Sequence, residues 1–302
     1  MVRQYFISQG GQEMIYILYN PLSGNSDTEA KLAKITDKYP DNSKIMDITA
    51  ITSYADLLST LSEDDIIVIG GGDGTLNRFV NDTDELEIKN EIYYLALGTG
   101  NDFLKDIAED TASGVCITKY LKNLPTVTVN GKSYKFINNV GFGIDGYCCE
   151  VGDEKKARGE TDINYSAIAI KGLLFFHKPS NARVTVDGVT HEYKKVWIAP
   201  TMNGRYYGGG MMPTPNQDRL SSDGTLSVMI WHGSGKLKTL TSFPSLFKGE
   251  HITKTDMIEI LVGHEITVEF DRPCALQIDG ETILGVTSYS AQKHPVREEI
   301  NA

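Results

Sequence analysis

Twelve residues, Asp64-Asp65-Ile66-Ile67-Val68-Ile69-Gly70-Gly71-Gly72-Asp73-Gly74-Thr75, restrict the fold more than any other stretch of the chain. Ile66 to Ile69 is β-branched throughout. That predicts a strand buried on both faces, as in parallel sheets covered by helices. The glycines that follow allow a sharp turn and let backbone N–H groups come close to a ligand. Such N–H groups beside a helix start form an anion site suited to phosphate. A carboxylate in that cradle repels its ligand unless a cation or a transferable proton lies between them. Asp73 therefore points to phosphoryl transfer with a metal.

The flanking pattern supports this placement. Met14 to Tyr19 is predicted as a strand and Asn20-Pro21-Leu22-Ser23-Gly24-Asn25 as the loop after it. Thr28 to Tyr39 has helical spacing, and Lys44 to Ile48 is a second strand. Ser53 to Leu61 is a helix with Ser53 as N-cap. Leu76 to Asn81 starts a third helix, and Ile92 to Leu97 is a strand ending in Gly98-Thr99-Gly100-Asn101-Asp102. This β-α-β-α-β-α-β order predicts an α/β domain with a parallel sheet over residues 14–122. Ligands on such sheets bind at the carboxyl ends of the strands, so the three polar loops should meet at one edge.

After residue 122 the texture changes. Asn130-Gly131 and Asp187-Gly188 each separate two strand-like runs and read as two-residue hairpin turns. Val196 to Pro200, Thr225 to Trp231, Met257 to Leu261, Glu265 to Phe270 and Ala275 to Ile278 are further strands, and Tyr165 to Phe176 is the main helix. Residues 123–284 are thus expected to form a mainly antiparallel β-sandwich or barrel. Residues 285–302 are expected to form a C-terminal segment that returns to the first domain.

A net charge of −11 argues against a nucleic-acid partner and against simple electrostatic adhesion to anionic lipid. No apolar run approaches a membrane span, and the N-terminus lacks the layout of a signal peptide. Cys116, Cys148, Cys149 and Cys274 contain no CxxC pair and read as reduced thiols of a cytoplasmic protein.

Taken singly, the Asn20–Gly24 loop is an ordinary βα turn, and Thr99 and Asn101 could serve only a loop or a helix cap. The Gly70–Thr75 loop is more specific, because a turn does not need four glycines. It is neither a Walker A loop nor a GxGxxG fingerprint. Leu173-Leu174-Phe175-Phe176 and Phe243-Pro244-Ser245-Leu246-Phe247 read as core, or as a lipid-facing lip if they prove exposed.

NPxSG at 20–24, GGGDGT at 70–75 and GTGND at 98–102, in this order, resemble the diacylglycerol-kinase catalytic domain found in bacterial lipid kinases and in sphingosine and ceramide kinases. The likeness continues through GFGxD ending at Asp145, NGxxxGGGM at 203–211, the Asp223-Gly224 pair and the terminal DGE at 279–281. It implies an NAD-kinase-like and lipid-kinase-like α/β domain followed by a β-rich acceptor domain. It implies ATP and Mg²⁺ as cofactors, a lipid hydroxyl as acceptor, and a cytoplasmic protein transiently associated with the membrane surface. A homodimer is suggested by the same analogy. Asn20, Ser23, Thr49, Gly71, Gly72, Asp73, Gly74, Thr75, Thr99 and Asn101 would line the nucleotide site. Asp73 would hold Mg²⁺, Asp279 would be the general base, Glu281 would assist it, and Asp145 would lie between nucleotide and acceptor. Asp223, with the carbonyls of Leu220 and Thr225, would bind a second, structural cation. Asn25 and Ser222 depart from the family's basic and acidic residues at those positions, which weakens the phosphate and structural-metal assignments. The alternatives are a kinase of a soluble acceptor such as NAD, or a nucleotide-binding regulator without catalysis.

Overall fold

The computed structural model describes residues 13–23, 33, 42–97, 101–107, 114–160, 163 and 165–296. The chain divides between Lys122 and Asn123 into two compact units. In the first unit, β1 (Ile15–Tyr19), β2 (Ser43–Asp47), β3 (Ile66–Gly71), β4 (Glu91–Ala96) and β5 (Val115–Cys116) form a sheet in the order β2-β1-β3-β4-β5. The first four strands are parallel, as expected. The two-residue β5 adds an antiparallel edge at Tyr93–Cys116, too short to be read from sequence. β3 is buried along its whole length, as its β-branched run requires. Each such side chain contributes about 1.5–3 kcal/mol by leaving water.

Among the described residues this unit carries the α-helices α1 (Tyr54–Ser59), α2 (Asp73–Asp82), α3 (Asp102–Ile107) and α4 (Thr118–Leu121). Ser53 caps α1 by accepting from the Asp56 N–H at 3.1 Å. α2 starts at Asp73 rather than near Leu76, and Gly70 and Gly71 belong to β3. The glycine run is therefore a strand end joined to a helix start through Gly72 alone. Close packing explains the first two glycines: a Cβ at Gly70 would lie 2.9 Å from Leu97, and one at Gly71 would lie 2.5 Å from Thr75. The helix expected at Thr28 to Tyr39 falls outside the described residues, except for Ala33.

The second unit holds β6 (Thr126–Val129), β7 (Lys132–Lys135), β8 (Asn139–Gly143), β9 (Ser180–Val186), β10 (Val189–Val196), β11 (Ile198–Met202), β12 (Leu226–Trp231), β13 (Ile258–Gly263), β14 (Glu265–Ile278) and β15 (Glu281–Gln292). They form one ten-stranded antiparallel sheet with the path β13-β12-β11-β8-β14-β15-β6-β7, and β9 and β10 extend it from β14. The two strands expected at Glu265 to Phe270 and Ala275 to Ile278 are one strand. Its first half pairs with β9 and its second half with β8, so the sheet bends around a core that includes Phe142, Val184, Val268 and Leu276.

Both short hairpin turns have the backbone their sequences require, with φ 50° and 76° at Asn130-Gly131 and 47° and 83° at Asp187-Gly188. Helices α5 (Ile144–Ala157), α6 (Tyr165–Lys171) and α7 (Lys236–Ser242) complete the unit, with a π-helical turn at Gly172–Phe176. Of the segment 285–302, expected to return to the first domain, residues 297–302 lie outside the described residues, and its first part continues β15 to Gln292. It then follows the second unit through Lys293 N–H to His264 O and Val296 N–H to Ser222 O, each 3.0 Å. Among the described residues no helix is long and apolar enough to cross a membrane.

Candidate functional site

In the first unit, side chains tie the polar strand-end loops together. Asn20, directly after β1, donates its amide to Thr75 Oγ1 at 3.0 Å, and the Ser23 hydroxyl shares a hydrogen bond with the same oxygen at 3.0 Å. Asn20 N–H also reaches Gly70 O at 2.9 Å. Thr75 is buried in the first turn of α2. From the same turn, Asp73 Oδ2 accepts the N–H groups of Asp102 at 2.8 Å and Phe103 at 3.3 Å, at the start of α3. The Tyr94 hydroxyl donates to Gly71 O at 3.3 Å, and burial, followed by the Asp73 charge, holds its proton tightly. The loops after β1 and β3 and the start of α3 thus meet at the N-terminal end of α2, where partial positive charge favours an anion.

Thr49 lies in the 3-10 turn Ile48–Ala50 just after β2, with its N–H and hydroxyl both bonded to Asp47 Oδ1 at 2.8 and 2.7 Å. Asn101 O accepts the Lys105 N–H at 3.0 Å. Gly24, Asn25 and the whole Gly98-Thr99-Gly100 segment lie outside the described residues.

Among the described residues no group of three or more His, Cys, Asp or Glu side chains could cage a metal ion. A single hard carboxylate, Asp73, fits a magnesium that arrives with nucleotide phosphates, since that ion keeps much of its shell from phosphate and water. The residues expected to hold a second cation lie at the surface of the second unit. Asp223 and Leu220 are exposed, and the Thr225 carbonyl already accepts the Gln217 amide at 2.9 Å.

An internal cation stands nearby. Lys293 is 2% exposed, and its ammonium donates to Arg219 O at 2.7 Å and Asn203 Oδ1 at 2.8 Å. A Cβ at Gly224 would lie 2.2 Å from His294 O, so the residues after Lys293 pack directly on the Asp223-Gly224 turn. Sequence reasoning did not find Lys293, since a lone lysine near a terminus carries no pattern.

In the second unit the acidic residues group around one glutamine. Asp145 lies in the first turn of α5 and is 6% exposed. Its Oδ1 accepts the Gly146 N–H at 2.9 Å, and its Oδ2 accepts the Gln277 side-chain amide at 3.4 Å. Gly141 makes room for it: a Cβ there would lie 2.9 Å from Asp145 Oδ2. Burial raises the Asp145 carboxyl to about 6, against the lowering effect of its hydrogen bonds to Gly146 and Gln277.

Asp279 occupies the two-residue turn between β14 and β15, at φ 47°. Its carboxylate accepts three backbone N–H groups at the start of β8: Ile137 at 2.5 Å, Asn138 at 2.8 Å and Asn139 at 2.9 Å. Gln277 spans the two acids, because its Oε1 also accepts the Gly280 N–H at 2.9 Å. Glu281 follows the turn and is exposed. Gln277 was not singled out from sequence; it lies near the end of β14, two residues before the turn that carries Asp279. All four cysteines are free thiols, and burial pushes Cys149 up to about 12.

A match to the diacylglycerol kinase catalytic domain spans residues 14–128, and a match to the YegS C-terminal NAD kinase beta sandwich-like domain spans residues 138–297. The second alone covers more than half of the chain, which therefore belongs to this family of kinases. The chain is 25% identical over 277 residues to a protein of Bacillus subtilis (strain 168) named diacylglycerol kinase, with 88% of each covered. It is 27% identical over 239 residues to a protein of Shewanella frigidimarina (strain NCIMB 400) named probable lipid kinase YegS-like, covering 74% of this chain and 72% of that one. A crystal structure of a diacylglycerol kinase from Bacillus anthracis str. Sterne aligns with a TM-score of 0.60 at 20% identity, covering 94% of both chains. That likeness speaks for the two-domain fold.

Proposed function

We propose that the protein transfers the γ-phosphoryl group of ATP to a hydroxyl of a lipid of the diacylglycerol class. The observation that carries this reading is Thr75, which joins the Asn20 and Ser23 loop to the helix start at Asp73 in a chain whose relatives are named diacylglycerol and lipid kinases. Phosphoryl transfer leaves a protein little covalent work, so alignment and charge placement dominate. Nucleotide phosphates would meet the start of α2, with Asn20, Ser23, Thr49, Thr99 and Asn101 offering hydroxyl and amide groups. Mg²⁺, when bound, would be held by Asp73 together with those phosphates and would supply charge neutralisation.

The acceptor hydroxyl needs a group to take its proton. The resemblance assigns that role to Asp279, but the geometry favours Asp145. The oxygens of Asp279 already accept three backbone N–H groups, whereas Asp145 is buried with its carboxyl raised to about 6. It is ionised at neutral pH yet more basic than an ordinary carboxylate, which suits proton acceptance. Asp279 then acts as a positioning residue that holds the start of β8. Glu281 adds negative charge beside the same turn.

The test offers ATP labelled in its γ-phosphate, with Mg²⁺, to mixed micelles of diacylglycerol, sphingosine and ceramide, with NAD as the soluble control. Label in one lipid that is lost with Asp145→Asn supports the reading. Label in NAD alone overturns the lipid acceptor, and label in nothing overturns the kinase.

A further inference from the structure

The π-helical turn Gly172–Phe176 has two sides with different fates. Its inner side is anchored: Leu173 is buried, and His177 N–H closes the turn on Gly172 O at 2.8 Å. The His177 ring lies 6.1 Å from those of both Tyr147 and Trp197. Its outer side is bare. Phe175 is 70% exposed and Phe176 is 64% exposed, with their rings 6.2 Å apart. Ile170, on α6 just before the turn, and Leu174 are exposed as well. The neighbouring helix α7 packs on this turn through Lys236, whose ammonium donates to Leu174 O at 3.3 Å, and it carries Leu237 at 75% exposure. Large apolar side chains gathered and exposed in this way mark an interaction surface rather than ordinary surface scatter.

The charge around the patch identifies the partner. Lys171 and Lys178 flank the turn in sequence, and Lys236 reaches it from α7. Arg272 is bonded to the Lys178 carbonyl. None of these four cations forms an ion pair among the described residues, whereas Lys238, two residues after Lys236, pairs with Asp256. A cationic rim around exposed aromatic and aliphatic side chains is unusual on a chain of net charge −11. A protein partner would supply shaped pockets for the rings. An anionic bilayer supplies both complements at once: hydrocarbon below the headgroups for the rings, and negative charge at headgroup level for the rim.

We infer that Ile170, Leu174, Phe175, Phe176 and Leu237 form a wedge that inserts into the surface of an anionic lipid bilayer, with Lys171, Lys178, Lys236 and Arg272 resting on its headgroups. The wedge is preformed, because its buried side fixes the backbone before any membrane is met. This deepens the lipid-kinase reading by naming the surface through which the chain meets a membrane-borne acceptor, and it rests on that reading for this purpose only. The binding itself is measured without turnover.

The experiment is cosedimentation of the full chain with vesicles of phosphatidylcholine, with and without phosphatidylglycerol. Wild type is compared with Phe175→Ser/Phe176→Ser and with Lys171→Gln/Lys178→Gln, and each is first checked for unchanged melting and for self-association in solution. Wild type is expected to bind the anionic vesicles, and the serine variant to lose about tenfold or more in partitioning. The glutamine variant is expected to weaken binding to anionic vesicles only, with the difference vanishing at high salt. The proposal is overturned if wild type ignores both vesicles, or if the serine variant binds as wild type does. It is equally overturned if wild type self-associates through this face and the serine variant merely becomes monomeric. Phosphorylation of a water-soluble short-chain diacylglycerol is followed in parallel. Vesicle binding without phosphorylation would sink the kinase reading and leave the wedge standing. Phosphorylation without vesicle binding would do the reverse.

Discussion

Gln277 donates its side-chain amide to Asp145 Oδ2 at 3.4 Å while its own oxygen receives the Gly280 N–H at 2.9 Å. One neutral side chain thus couples a buried acid on α5 to the turn that carries Asp279. The interaction lowers the Asp145 carboxyl, opposing burial. Gln277→Leu is therefore expected to raise it, moving the acidic limb of the kcat/KM profile to higher pH. A purely structural role for Gln277 would lower activity without moving that limb.

Asp145 itself gives a pH signature in stability. Its carboxyl lies at about 6 in the fold against 3.8 ordinarily, so the folded chain binds this proton more tightly than the unfolded chain. The resulting stability is fully present below pH 3.8 and is lost as pH rises through about 6. The loss amounts to about 3 kcal/mol. Asp145→Asn is expected to flatten this slope in denaturant titrations across that range. It should also lower kcat by roughly 10²–10⁴-fold, the usual weight of a general base.

Asp279→Asn should behave differently. An amide cannot accept on both sides, so at least one N–H at the start of β8 loses its partner. A melting shift equivalent to about 1–3 kcal/mol is expected together with the loss of activity. A variant with native stability and abolished turnover would instead return the base role to Asp279.

Thr75→Val removes the oxygen that both Asn20 and Ser23 use. Valine fills the same space, so packing against Gly71 is kept. Nucleotide affinity, read by titration with a fluorescent ATP analogue, is expected to fall, with a stability cost of about 1–3 kcal/mol. Unchanged affinity would show that the tie between the loops has no part in nucleotide binding.

Lys293→Met leaves Asn203 Oδ1 and Arg219 O without the buried donor they share. Melting should drop by the equivalent of about 1–3 kcal/mol. Chelation of divalent ions should leave the wild-type melting temperature unchanged. A large fall on chelation would support the structural cation expected at Asp223.

The parts legible in the sequence are those governed by local chemistry. A β-branched run can only be a buried strand here, and Asn130-Gly131 and Asp187-Gly188 supply the positive φ their turns need. Helix α5 was not legible, because Gly146 and Gly152 break the expected propensity. Their reason is tertiary: a Cβ at Gly146 would lie 2.1 Å from Ala275 O, and one at Gly152 would lie 2.7 Å from the Tyr165 ring. The candidate site divides the same way. Motif order located Asp73, Asp145 and Asp279, but the three N–H donors on Asp279 come from residues about 140 positions away, and no local pattern reports them. The exposed face of Phe175 and Phe176 was equally hidden, since a run of apolar residues does not say which of them packing leaves outside.

An ion held by a loop exchanges with its surroundings, and a protein built on one inherits the ion balance of its compartment. The ammonium of Lys293 is carried by the chain it braces. It arrives with folding in fixed stoichiometry, and no chelator or rival cation can withdraw it. This one brace of the second unit therefore owes nothing to metal supply.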